Sequence, residues 1–135
     1  MKMSILSING NKPFNYILQS ILSKDYYVSV VSDPITGLKH MKANGSISLV
    51  IIDIDSFEDE ALDFIEHINS SLLYQIPIFV LTSNPVTSID QRYLDLKVSH
   101  FFAKPFNPLD LAKKVNEITL PIKNSIASNI NLKSL

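Results

Sequence analysis

The chain has 135 residues, enough for one domain with a sizeable core, and an apolar share of 46% that is ordinary for a globular protein. Its net charge of -1 gives no reason to expect nucleic acid or an anionic membrane as a general partner, and the lack of cysteine excludes disulfides, thiol nucleophiles and thiolate zinc sites. No apolar run reaches the roughly 18 residues of a membrane span, and Met1-Lys2-Met3-Ser4 lacks the pattern of a secretory signal, so a cytosolic, reducing compartment is expected.

Ile5 to Ile8 reads as a short strand ending at Asn9-Gly10-Asn11. Asn11 is a candidate helix cap, with Pro13 in the first turn behind it. Phe14, Ile17, Leu18, Ile21 and Leu22 then follow the spacing of a helix with one apolar face. Lys24-Asp25 is a turn, and the Tyr- and Val-rich run Tyr26 to Val31 is a second strand. Ser32-Asp33-Pro34 caps and starts a helix carrying Ile35, Leu38 and Met41, which ends near Asn44-Gly45. Gly37 inside it costs roughly 1 kcal/mol against alanine.

Leu49-Val50-Ile51-Ile52-Asp53-Ile54-Asp55 is apolar without alternation and stops at a carboxylate. Such a run predicts a strand buried on both faces, hence a sheet covered by helices on either side. After a loop from Asp55 to Asp59, a third helix carries Ala61, Leu62, Ile65, Ile68 and Leu72, with Glu58, Asp59 and Glu60 at its favourable amino end. Ile76 to Leu81 is the fourth strand, with Pro77 tolerable near its start. Ser88 to Leu96 is a short helix through Ile89, Tyr93 and Leu96, and Val98 to Phe102 the fifth strand. Asn107-Pro108 caps a last helix whose inner face is Leu111, Ala112, Val115 and Ile118. The residues from Pro121 to Leu135 differ in character: they are rich in Ser, Asn and Lys, lack acids, and space Ile122, Ile126 and Ile130 four apart. The expected organisation is a domain over residues 1–120 and a tail or short helix over 121–135. The alternation of strand and helix predicts an α/β fold, a doubly wound five-stranded parallel sheet with helices on both faces.

In such sheets chemistry sits at the carboxyl ends of the strands. Four of the five ends carry polar residues: Asn9, Asp53, Thr82 and Lys104. A carboxylate, a hydroxyl and an ammonium at one edge can form an anion site, and the carboxylate can serve as nucleophile toward a phosphoryl group.

The segments LVIIDI around Asp53, FVLTS around Thr82 and FFAKPF around Lys104, in this strand order, resemble the receiver domain of two-component response regulators. The resemblance covers roughly Met3 to Thr119. It implies a flavodoxin-like, receiver-type sheet and a signalling role in phosphorelay rather than enzymatic turnover. It places Asp53 at the phosphoacceptor position, Thr82 at the switch hydroxyl with small Ser83 behind it, and Lys104 at the lysine that precedes a usually cis proline. Phe101 matches the aromatic switch position. The implied partners are a sensor histidine kinase or other signalling protein, and a homodimer through the face of the fourth helix, fifth strand and fifth helix, with Tyr93, His100 and Lys113 on it.

The departures bear on function. The family carries two adjacent acids after its first strand to hold Mg²⁺; here the pair is Asn9-Gly10. Ser56-Phe57 replaces a Met-Pro pair, Glu60-Ala61 stands where an acid or amide and a glycine are usual, and Lys97-Val98 replaces a Gly-Ala before the fifth strand. Mg²⁺ wants carboxylate oxygens in near-octahedral geometry. A metal site of Asn9, Asp53 and Asp55 is therefore expected to be weak or absent, with Asp55 the candidate replacement carboxylate, and phosphorylation of Asp53 to be impaired. Two alternatives stay open: a working phosphoacceptor with a weakened metal site, and a flavodoxin-like ligand-binding domain or enzyme. The lack of a glycine-rich loop after the first strand speaks against a nucleotide or flavin version. His40, His67 and His100 have no metal-ligand spacing and are expected at the surface.

Overall fold

The computed structural model describes residues 2–71, 75–84 and 91–133. Five strands, β1 (Met3–Ile8), β2 (Tyr26–Val31), β3 (Ile47–Asp53), β4 (Ile78–Thr82) and β5 (His100–Ala103), form one sheet in the order β2-β1-β3-β4-β5. Every pairing is parallel. Between them run the helices α1 (Lys12–Leu22), α2 (Pro34–Ala43), α3 (Glu58–Ser70), α4 (Gln91–Leu94) and α5 (Pro108–Lys133). This is the α/β, doubly wound sheet expected from the sequence. Because β2 and β3 lie on opposite sides of β1, the strand order reverses there, and the crevice outside the ends of β1 and β3 is where such sheets bind ligands.

Alternation along the strands divides the core in two. Leu6, Ile8, Val50, Ile52, Ile78 and Val80 pack with Met41 of α2 and with Leu62, Phe64, Ile65 and Ile68 of α3. Ile5, Leu49, Ile51, Phe79, Leu81 and Phe102 pack with Leu18 and Leu22 of α1 and with Leu111 and Val115 of α5. A sheet covered on both faces explains why β3 reads as one apolar run.

The local signals act as their chemistry suggests. Asn11 Oδ1 accepts from Phe14 N at 2.9 Å, Asp33 Oδ1 from Thr36 N at 2.8 Å, and Asn107 Oδ1 from Leu109 N at 2.9 Å, so each side chain satisfies a donor that its helix leaves open. Gly37 has a steric reason to be glycine: a Cβ built there would lie 2.6 Å from Ile8 Cδ1 and 3.1 Å from Ile8 Cγ1. The α2 backbone thus rests directly on the end of β1, one residue before Asn9.

Several boundaries move. β3 begins at Ile47 and ends at Asp53; Ile54 leaves the strand but stays buried, its N–H donating to Leu81 O at 3.1 Å. β1 starts at Met3, two residues before the apolar run. Pro77 precedes β4, while its carbonyl still takes the Val50 N–H at 3.1 Å. Leu72 and the Ser88–Asp90 start of the fourth helix, Ile89 included, lie outside the described residues. Helix α5 passes through Pro121 and reaches Lys133, 26 residues or roughly 39 Å at 1.5 Å per residue, so residues 121–133 continue α5.

Tyr26 and Asn69 tie distant parts of the chain together. The buried Tyr26 hydroxyl donates to Asn116 Oδ1 at 2.7 Å and lies 2.6 Å from Thr119 Oγ1, which joins β2 to α5. Asn69 of α3 pairs with the backbone of Lys97 through both ends of its amide, accepting the N–H at 2.7 Å and donating to the carbonyl at 3.2 Å.

Candidate functional site

Parallel pairing aligns the strand ends. Asp53 is level with Leu81 and Thr82 with Ala103, so Asp53, Thr82 and Lys104 emerge at one edge of the sheet. Asn9 leaves β1 beside them, its N–H donating to Val31 O at 3.0 Å. The strand-end residues singled out in the sequence thus gather at one edge.

Asp53 is 9% exposed and uses both carboxylate oxygens within the chain. Its Oδ1 accepts the Asp55 N–H at 2.9 Å, and its Oδ2 pairs with the Lys104 ammonium. Lys104 also reaches Asp55 Oδ2 at 3.0 Å, so one ammonium bridges two carboxylates. Burial pulls the Lys104 ammonium toward lower pKa, but its hydrogen bonds and charge interactions with Asp53 and Asp55 outweigh that and leave it above 10.5. The Lys104–Pro105 peptide bond is cis. Phe106 beyond it packs edge-on against Phe14, with ring centroids 5.8 Å apart, and against Phe102 at 5.6 Å.

Asp55 collects the remaining donors. Its Oδ1 accepts the Thr82 hydroxyl at 2.9 Å; its Oδ2 accepts the Ser83 N–H at 2.9 Å and the Ser83 hydroxyl at 2.6 Å. Burial pushes the Asp55 carboxyl upward, yet the bonds from Ser83, Lys104 and Thr82 prevail and hold it below 3.8. Thr82 is 1% exposed, and its oxygen in turn accepts the Asn84 N–H at 3.1 Å. The sequence puts Asp55 beside the site but does not show its bonds to Thr82 and Ser83. The available signal was a second carboxylate two residues after Asp53 and a second hydroxyl directly after Thr82.

On the other side of Asp53 lies a cavity of about 320 Å³, lined by Asn9, Asn11, Phe14, Asp53, Leu81 and Phe106 among others. Asn9 Oδ1, a neutral oxygen, accepts the Asn11 N–H at 2.8 Å. Gly10 contributes no side chain. Among the described residues no three His, Cys, Asp or Glu side chains cluster as a metal site. Toward a hard divalent cation this edge offers the carboxylates of Asp53 and Asp55, both hydrogen-bonded within the chain, and the neutral oxygen of Asn9.

Three surface expectations, for Tyr93, His100 and His40, need correction. Tyr93 belongs to the core: it is 0% exposed, and its hydroxyl donates to Glu58 O, because α4 turns this ring onto α3. His100 is half-buried, its ring 4.5 Å from that of Phe102, and burial followed by the charge of Lys114 lowers its pKa from 6.5. His40 is also half-buried, whereas His67 and Lys113 are exposed. Phe101 is partly buried against the core on the α2–α3 face.

Comparison with known proteins agrees with this geometry. The chain matches the response regulator receiver domain model over residues 5–116. No curated protein matches it. A chemotaxis response regulator of Vibrio cholerae superposes with a TM-score of 0.76 at 18% identity, covering 87% of this chain and 99% of that one. The receiver domain of a Pseudomonas aeruginosa sensor histidine kinase, with magnesium in its active-site cleft, gives 0.73 at 18% identity over 87% and 98%. An orphan response regulator of H. pylori gives 0.73 at 20% identity over 85% and 94%. At these identities the structural likenesses speak for the fold, and the family match over most of the chain gives the family. The chain belongs to the response regulator receiver domains of two-component signalling systems.

Proposed function

We propose that this receiver domain works in the cytosol as a phosphorylation-impaired interaction module, signalling through protein contacts rather than through turnover of a substrate. The observation that supports the reading is the loss of metal donors. Phosphoryl transfer to a carboxylate brings negative charge onto negative charge, and receiver domains offset it with Mg²⁺ held by an acidic pair. Here Asn9 supplies one neutral oxygen already hydrogen-bonded to Asn11, and Gly10 supplies none. Both Asp53 oxygens are engaged as well, one by Lys104. The retained Asp53, Thr82 and Lys104 then serve chiefly to shape the loop edge of the sheet.

Receiver domains interact with sensor histidine kinases and other signalling partners. The face of α4, β5 and α5 is the proposed contact surface. With Tyr93 withdrawn into the core, it presents Leu94, Leu109 and Lys113. A homodimer through this face would show as a mass of two chains in light scattering, reduced to one by Leu109→Glu.

One observation favours the second reading, a working phosphoacceptor with a weakened metal site: Asp53, Thr82 and Lys104 still converge at one edge. Incubation with a small phosphodonor and Mg²⁺, followed by intact-mass measurement, separates the two. The impaired reading expects no gain of a phosphoryl mass, together with no Mg²⁺ binding by calorimetry. A gain that vanishes in Asp53→Ala would establish the second reading instead.

A further inference from the structure

Four donors end on one group. The Thr82 hydroxyl, the Ser83 N–H, the Ser83 hydroxyl and the Lys104 ammonium all point at the Asp55 carboxylate, at 2.9, 2.9, 2.6 and 3.0 Å. An ammonium, two hydroxyls and a backbone amide converging at such distances form a binding set for an oxyanion. The strand ladder does not require an acid here: Asp55 lies two residues past the end of β3, and its own N–H is held by Asp53.

We propose that Asp55 is the resident anion of this site: its carboxylate occupies the donor set that an external oxyanion would use, and holds Thr82 and Lys104 in an anion-bound arrangement with no ligand added. The inference rests on the reading of the domain as phosphorylation-impaired and gives that impairment a second cause besides the lost metal donors. A phosphoryl group or free phosphate would have to displace a carboxylate tethered by the chain itself. A group on so short a tether competes at an effective concentration at least on the order of millimolar. A phosphoryl group on Asp53 would also find Thr82, Ser83 and Lys104 already engaged. The switch hydroxyl is thereby kept in one position by sequence rather than by signal.

The test uses the full chain and inorganic phosphate as the probe, titrated at constant ionic strength while the Ser83 amide resonance is followed. Asp55→Ala empties the carboxylate position; Asp55→Asn keeps its shape and carries the test should the alanine variant fold poorly. Asp63→Asn, an exposed acid on α3, controls for the change in net charge. The proposal expects saturable binding in the Asp55 variants, tighter than in the wild type by about tenfold or more, and no gain in Asp63→Asn. Equal titration of wild type and Asp55 variants would overturn it, as would an equal gain in Asp63→Asn. Phosphorylation of wild-type Asp53 by a phosphodonor would overturn the impaired reading alone; unchanged phosphate affinity in the Asp55 variants would overturn the present inference alone.

Discussion

Replacing Lys104 by glutamine removes the cation that bridges Asp53 and Asp55 while keeping most of the side chain's length. The two carboxylates then face each other with the Ser83, Thr82 and Asp55 N–H donors still in place. Breaking a fully buried pair costs about 3–5 kcal/mol, and an exposed pair contributes about 0–1. Lys104 is 32% exposed and Asp53 9%, so solvent screening places the expected loss between these limits, at about 2 kcal/mol. At neutral pH that corresponds to a fall of about 1 M in the urea midpoint for a chain of this size. The pH dependence adds a second readout. The Lys104 pKa is raised in the fold, so its contribution is complete below 10.5 and is lost as pH rises through the higher folded value. The Asp55 pKa is lowered, so its contribution is present above 3.8 and is lost as pH falls through the lower folded value. The gap between wild type and Lys104→Gln should therefore be widest between these limits and should narrow at both extremes. Urea titrations followed by circular dichroism across that range measure it. An unchanged midpoint at neutral pH, or a gap that widens in acid, would refute the bridging role of Lys104.

Gly37→Ala should destabilise the domain by about 1 kcal/mol: the helix propensity gain of about 1 kcal/mol is outweighed by roughly 2 kcal/mol of overpacking against Ile8. In an Ile8→Val background, which deletes the Cδ1 atom at 2.6 Å, the same change should become neutral or stabilising, as a double-mutant cycle of chemical melts would show. Tyr26→Phe should cost about 1 kcal/mol and no more, because Thr119 Oγ1 keeps its bond to Val115 O at 2.9 Å; thermal melts of the two proteins check this. Asn69→Ala should speed hydrogen exchange at the Lys97 amide by about tenfold while leaving the β3 amides unchanged, as exchange followed by magnetic resonance would report.

Most of the architecture was legible because one-dimensional signals act locally. Asn11, Asp33 and Asn107 cap the helices they precede, and the unbroken run in β3 shows that both faces of the sheet are covered. The grouping of Asp53, Thr82 and Lys104 followed from parallel strands ending at one edge. What stayed hidden depends on side-chain direction across segments far apart in the chain. Asp55 bonds to residues 27 and 28 positions away, and no spacing rule says toward which neighbour a loop carboxylate turns. A helix as short as α4 shows too few positions to tell its inner side from its outer one, so its sequence does not assign Tyr93 to the core. Gly37 looked like a flaw in a helix until the approach of Ile8 supplied the reason, and such an approach exists only in three dimensions.

The link between Tyr26 and Thr119 bears on how the chain is made. Of the five strands β1 comes first in chain order, and it is an inner strand of the sheet, flanked by β2 and β3: Met3 is level with Tyr26, and Ser4 with Ile47. A nascent chain that ends at Val31 can pair β1 with β2, but the other edge of β1 stays open until β3 emerges. The Tyr26 hydroxyl waits longer still, for a partner 93 residues downstream. Contacts this distant in sequence slow folding, because a large loop must close before they form. Domain completion therefore has to follow the synthesis of α5, and until then β2 and α1 lack the cover that keeps their apolar face from other chains.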